Sequence, residues 1–153
     1  MSTTAAKTPA NDHRARDDVE RLISLSEARP SDRVFIAGPG QLDLCLELCH
    51  RGFADVVCAA AGAPRAGEVA DVVWLPHAAG RDLEGILARL RGVLRDGGLL
   101  VIHDDRPAGR TRLQQVQRLL LACGFLPLAQ AADQAGLSVC ARKPASGRLI
   151  QAA

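Results

Sequence analysis

The stretch that most constrains this chain is Arg33-Val34-Phe35-Ile36-Ala37-Gly38-Pro39-Gly40-Gln41-Leu42-Asp43. An apolar run suited to a buried strand ends in Gly-Pro-Gly and passes at once into an apolar helix. Glycine has no side chain, so a strand-turn-helix of this kind lets backbone N–H groups come close to a ligand. The polar groups that would complete such a turn are missing. No carboxylate ends the strand, and Leu42 stands where a third glycine is expected. The turn therefore says more about fold than about catalysis.

The rest of the chain alternates strand and helix patterns. Asp17 to Ala28 carries Val19, Leu22, Ile23 and Leu25 at near-helical spacing and stops before Pro30. Arg33 to Ala37 is the first strand. Leu42 to Arg51 is the next helix, with Asp43 as its cap and Gly52 after it; being apolar nearly all round, it is predicted to be buried. Ala54 to Ala59 is the second strand. A short Gly/Pro/Ala segment follows, and Ala70 to Leu75, closed by Pro76, is the third. Asp82 to Leu94 repeats leucine and isoleucine on one face. Asp96-Gly97-Gly98 turns the chain into the strand Leu99 to His103, with a polar loop from Asp104 to Arg110. Thr111 to Cys123 is a second amphipathic helix. Phe125 to Ala129 and Leu137 to Arg142 are short strands with no room for a crossover helix between them, so they pair antiparallel.

Strands alternating with helices imply right-handed crossovers and a mostly parallel sheet covered on both faces. The expected fold is α/β, a three-layer sandwich with a Rossmann-like sheet and a C-terminal antiparallel hairpin, one βα unit short. Residues 14–143 form the one domain, with a disordered tail at 1–13 and a flexible one at 144–153. A net charge of +2, with basic residues interspersed among acids, gives no stripe for nucleic acid, and no apolar run is long enough to span a membrane. Without a signal-peptide pattern the protein is expected in the cytoplasm. The five cysteines lie in apolar runs. Cys45 and Cys49 sit one turn apart beside His50, but buried thiols acting as small hydrophobes are the simpler reading, and no metal site is expected.

This order of elements resembles the class I S-adenosylmethionine-dependent methyltransferases across nearly the whole chain. Pro30 to Gly40 is similar to the family's first motif, and Ala70 to His77 to its fourth-strand motif. Leu90 to Ile102 resembles its passage of helix, Gly-Gly and strand, and Leu121-Ala122-Cys123-Gly124-Phe125 its entry to the last strands. The resemblance implies S-adenosylmethionine as cofactor, with Gly38, Pro39, Gly40, Ala59, Trp74 and Leu75 lining its site. It also implies that His77 lies near a substrate; Asp104 and Asp105, with His103, stand beyond a strand's C-terminal end on the crevice side, placed to orient a substrate or bind a divalent cation. A family member with this donor would act by aligning donor and acceptor.

The departures concern ligand binding. The family carries an acid two positions before the first glycine; here it is Ile36. A second acid usually ends strand two and accepts from the ribose hydroxyls, whereas this chain reads Val57-Cys58-Ala59-Ala60-Ala61. Each lost charge-assisted acceptor costs roughly 1.5–3 kcal/mol. Plainer roles also fit the candidates: a tight turn for the glycines, a surface position for His77, a solvated loop for Asp104 and Asp105. The small basic group Arg106, Arg110 and Arg112 fits a solvated face. The sequence favours a non-catalytic binding or assembly module with degraded cofactor motifs; the alternative is an active methyltransferase acting on a small molecule or protein. Loss of the family's third strand would bare the edge of strand two, Val56 to Cys58, for a homodimer or a partner protein.

Overall fold

The computed structural model describes residues 9–38, 41–59, 69–76, 82–104, 106, 109–133 and 136–145. In chain order these form α1 (Pro9–Ser26), β1 (Val34–Ala37), α2 (Leu42–His50), β2 (Val56–Ala59), β3 (Ala70–Pro76), α3 (Leu83–Val93), β4 (Leu94–Asp104), α4 (Arg110–Ala122), β5 (Leu126–Asp133) and β6 (Gly136–Arg142). The strands make one six-stranded sheet in the order β2-β1-β3-β4-β6-β5. Pairing is parallel from β2 to β4, and β6 runs antiparallel to both β4 and β5. The expected α/β sandwich and its reversed C-terminal strand are both present.

Alternation along each strand divides the core between the two faces of the sheet. Val34 and Ile36 of β1, Val72 and Trp74 of β3, Val101 of β4 and Cys140 of β6 pack with Val19 and Leu22 of α1 and Leu44 and Leu48 of α2. The intervening residues Phe35, Val73, Leu75, Leu100, Ile102 and Val139 pack with Leu87 and Leu90 of α3 and Val116 and Leu120 of α4. Asp82 caps α3 by accepting from the Gly85 N–H at 3.3 Å. Lys143 closes the other end of that helix, its Nζ donating to the Arg91 and Leu94 carbonyls at 2.7 and 2.8 Å.

Four local features differ from the sequence reading. Helix α1 starts at Pro9, well before Asp17, because the sequence ahead of Asp17 is mostly polar and Ala15, which is buried, gives little apolar signal. It therefore reaches into the stretch read as tail; the expectations for residues 1–8 and 146–153 lie outside the described residues. Helix α2 buries only one face, with Leu42 69% and Leu46 40% exposed, because it lies beside the sheet's β2 edge rather than over its middle. Asp43 stands in its first turn, with Gln41 at the N-cap. Asp96-Gly97-Gly98 does not precede β4 but bulges within it: Ala70 pairs with Leu94 and Val72 with Leu99. Two bonds to Lys143 clasp the bulge, Gly97 N–H to the Lys143 carbonyl and Lys143 N–H to the Gly98 carbonyl. Gly97 takes φ +77, and a Cβ on Gly98 would sit 2.9 Å from the Arg95 carbonyl oxygen, so both positions require glycine. The fourth concerns Asp104, which is buried at the end of β4 and not in a solvated loop.

Candidate functional site

The carboxyl ends of β1, β2, β3 and β4 lie along one end of the sheet, where open α/β folds bind ligands. Gly38 follows β1 and is buried, with φ +126. Only glycine holds that backbone without strain, so the turn needs it whatever else it does. Ala59 ends β2 and pairs in register with Ala37. Pro39, Gly40, His77 and Asp105 lie outside the described residues. Trp74 and Leu75 are both in the packed interior, on opposite faces of β3, with 1% and 0% of their surface exposed. Neither of the family's acids has a substitute here among the described residues. Ile36 is fully buried between Cys58 of β2 and Trp74 of β3, and β2 ends in Cys58-Ala59.

A polar cluster fills the α1 side of this end. His103 and Ser138 are register partners on β4 and β6, and the His103 Nδ1 to Ser138 Oγ distance is 3.0 Å. Arg21 of α1 reaches down to His103 Nε2, its Nη1 2.9 Å away. Asp18, one turn earlier, lies 3.6 Å from the Arg21 guanidinium and 3.9 Å from His103 Nε2. Arginine can only donate, so Nε2 accepts and the ring proton sits on Nδ1, directed at Ser138 Oγ. That polarity has a chemical consequence. In this arrangement the imidazole donates its Nδ1–H to the hydroxyl and does not accept from it, so His103 does not activate Ser138 as a nucleophile. The cluster instead fastens α1 over the end of the sheet.

Asp104 points to the other face. Its Oδ1 accepts from the Arg106 N–H at 3.0 Å, a local turn bond that commits one carboxylate oxygen. Thus His103 and Asp104, adjacent in sequence, serve opposite sides of the sheet, and alternation keeps them from forming one substrate group. Sequence reasoning passed over Asp18, Arg21 and Ser138. Ser138 carries a legible signal, a lone hydroxyl inside the apolar strand Leu137 to Ala141. Asp18 and Arg21 look like an ordinary exposed i,i+3 pair until α1 is seen to cross β4. No group of three or more His, Cys, Asp or Glu side chains suited to a metal ion occurs among the described residues.

A fold of this order, with its Gly38 turn at the ligand end, defines the class I methyltransferase-like Rossmann architecture. By sequence, no family model and no curated protein matches the chain. By structure it is similar to the glycopeptide N-methyltransferase MtfA complexed with sinefungin, at 14% identity and a TM-score of 0.64, covering 94% of this chain and 90% of that one. It is likewise similar to the N-methyltransferase NodS from Bradyrhizobium japonicum in complex with S-adenosyl-L-homocysteine, at 16% identity and a TM-score of 0.55, covering 91% and 90%. The [4+2]-cyclase SpnF is a third, at 14% identity and a TM-score of 0.62, covering 95% and 85%. Identities this low carry the fold alone, and SpnF, a [4+2]-cyclase, carries a different chemistry on the same scaffold.

Proposed function

We propose that this chain is a methyltransferase-like binding module of the cytoplasm that does not turn over a methyl donor. The observation behind this reading is Ile36. Where the resembling family places a carboxylate, an isoleucine is fully buried in the core shared by α1, α2 and the sheet. With no acid closing β2 either, the described residues do not fit S-adenosylmethionine, because the polar acceptors for its ribose are missing. The Asp18–Arg21–His103–Ser138 cluster, which holds α1 across the end of β4, adds support. Calorimetric titration with S-adenosylmethionine and S-adenosylhomocysteine tests the reading, and no saturable binding is expected even at about millimolar ligand. Saturation below about 100 μM, weakened by Gly38→Arg, would overturn it.

The second reading, an active methyltransferase, is favoured by the retained glycine conformation at Gly38 and by the nucleoside ligands named for MtfA and NodS. The same titration separates the two. For the module itself, the outer edge of β2 is the proposed meeting face for a second copy or a protein partner. Among the described residues β2 pairs only with β1, and the neighbouring α2 exposes Leu42 and Leu46. Light scattering across micromolar concentrations is expected to show a dimer. A monomer throughout, with no partner recovered by pull-down, would count against that face. No helix among the described residues is long and apolar enough to cross a membrane.

A further inference from the structure

The same edge of the molecule carries three thiols to which the proposed function gives no role. Cys45 and Cys49 lie one turn apart on α2, and Cys58 lies on β2. Cys58 pairs in register with Ile36, which faces the α1–α2 core, so Cys58 is on the side of the sheet that α2 covers. Cys45 and Cys58 are neighbours there, with Cys49 one turn further along α2. Cys45, packed against that core, donates its backbone N–H to the Gln41 carbonyl at 3.0 Å. The Cys58 thiol also points at the Gln41 carbonyl, 3.9 Å away, at the start of α2. Cys49 and Cys58 are exposed and Cys45, between them, is half-buried. Cys140 is buried in β6, and Cys123 follows α4 on the opposite face.

We propose that Cys45, Cys49 and Cys58 form a thiol–disulfide exchange site, in which Cys45 and Cys58 close a disulfide joining α2 to the edge strand β2. The co-reactant is a small-molecule disulfide. The thiolate of exposed Cys58 attacks one of its sulfurs, forming a mixed disulfide and releasing one small thiolate, which takes up a proton. The Cys45 thiolate then attacks Cys58 Sγ, the second small thiolate leaves, and the Cys45–Cys58 bond remains. Two protein thiols are oxidised and one small disulfide is reduced to two thiols.

Geometry selects this pair over Cys45–Cys49. Residues one turn apart on a helix hold their Cβ atoms about 5–6 Å apart, whereas a disulfide needs about 3.5–4.5 Å. A bridge within α2 would therefore deform the helix. The strand partner is under no such constraint. Cys49 is the third thiol, exposed and one turn from Cys45, placed to exchange with the bridge. Burial raises all three thiols, and their mutual proximity adds to this at Cys45 and Cys49, so little thiolate exists at neutral pH. The exchange rate is accordingly expected to rise about tenfold per pH unit and to be still climbing at pH 9.

The test treats the full chain with oxidised glutathione and reads intact mass and disulfide-linked peptides. The expected product has lost two hydrogens and carries a Cys45–Cys58 link. Cys49→Ser keeps that link, while Cys45→Ser stops at glutathione adducts. Three results would overturn the proposal: lasting adducts on the parent chain without a bridge, a link through Cys123 or Cys140 or between chains, or inert thiols at Cys49 and Cys58. Because the parent chain supplies the deciding spectrum, a poorly folding variant cannot obscure the outcome.

Discussion

Replacing Trp74 with alanine is expected to remove about 3–5 kcal/mol of stability. For a domain of this size that lowers the melting temperature by about 10 °C or more. Trp74 is the one tryptophan in the chain, and only 1% of its surface is exposed. It stands in the middle of the sheet, with Ile36 of β1 and Val101 of β4 as register neighbours, in the core that α1 and α2 close. An indole buries roughly 150–250 Å², and a rigid sheet cannot collapse into the space that its removal leaves. Its Nε1 is buried and finds no acceptor among the described residues. An unmet buried donor costs about 1–3 kcal/mol, so Trp74→Phe gives up packing area but also removes that penalty. Phenylalanine is expected to cost well under half of what alanine does. Thermal melts followed by circular dichroism check both. A Trp74→Ala melt within about 2 °C of the parent would mean that this part of the core does not hold the fold together.

Ile36→Asp, which restores the family's acid, is expected to unfold the domain or to cost more than about 4 kcal/mol. Two terms add. Removing a buried isoleucine forfeits about 1.5–3 kcal/mol of transfer free energy, and an unpaired carboxylate among Val34, Trp74 and Leu48 is costlier still. Ile36→Val, which deletes one methylene, is expected to cost only about 0.5–1.5 kcal/mol. Denaturant melts of the three proteins read these differences directly. If Ile36→Asp folds at near-parent stability and binds S-adenosylmethionine, the ligand end is open at β1 and the non-catalytic reading fails. The expected loss would mean that the core has closed over the site of the missing charge. The departure from the family would then be built into the packing, and one substitution could not reverse it.

The order of elements was legible because its signals are local. Val34 to Ala37 before a glycine turn, leucines at helical spacing from Leu83 to Leu90, and two strands too close for a crossover each declare themselves within a dozen residues. The short distance between Ala59 and Ala70 predicted a missing βα unit, and among the described residues no strand lies outside β2. Element edges were less legible. The first turns of α1 are polar, and β4 continues through an Asp-Gly-Gly sequence that reads as a stop, because Lys143 clasps the bulge from 45 residues further on.

The candidate site was legible only at the turn. Gly38 announces a special backbone, and Ile36 and Ala59 announce the missing acids. Asp104 and Asp105 looked like a substrate pair beside His103 because sequence adjacency conceals alternation, which sends His103 and Asp104 to opposite faces. Arg21 and Ser138 become partners of His103 only when α1 is laid across the sheet and β6 is inserted beside β4. The thiol cluster has the same origin: Cys58 meets Cys45 through the parallel pairing of β2 with β1 and the seat of α2 on that edge.

Periodicity and turn chemistry by themselves determined that this chain is a mostly parallel α/β sandwich with a reversed last strand, lacking the family's cofactor acids. Both act over a few residues, so they survive in the sequence. The tertiary structure decided which side chains share an environment: the buried Trp74 and Ile36, the Arg21–His103–Ser138 fastening and the Cys45–Cys49–Cys58 cluster. Those groupings join residues from different elements, up to 82 positions apart, and only packed elements with a fixed register bring them together.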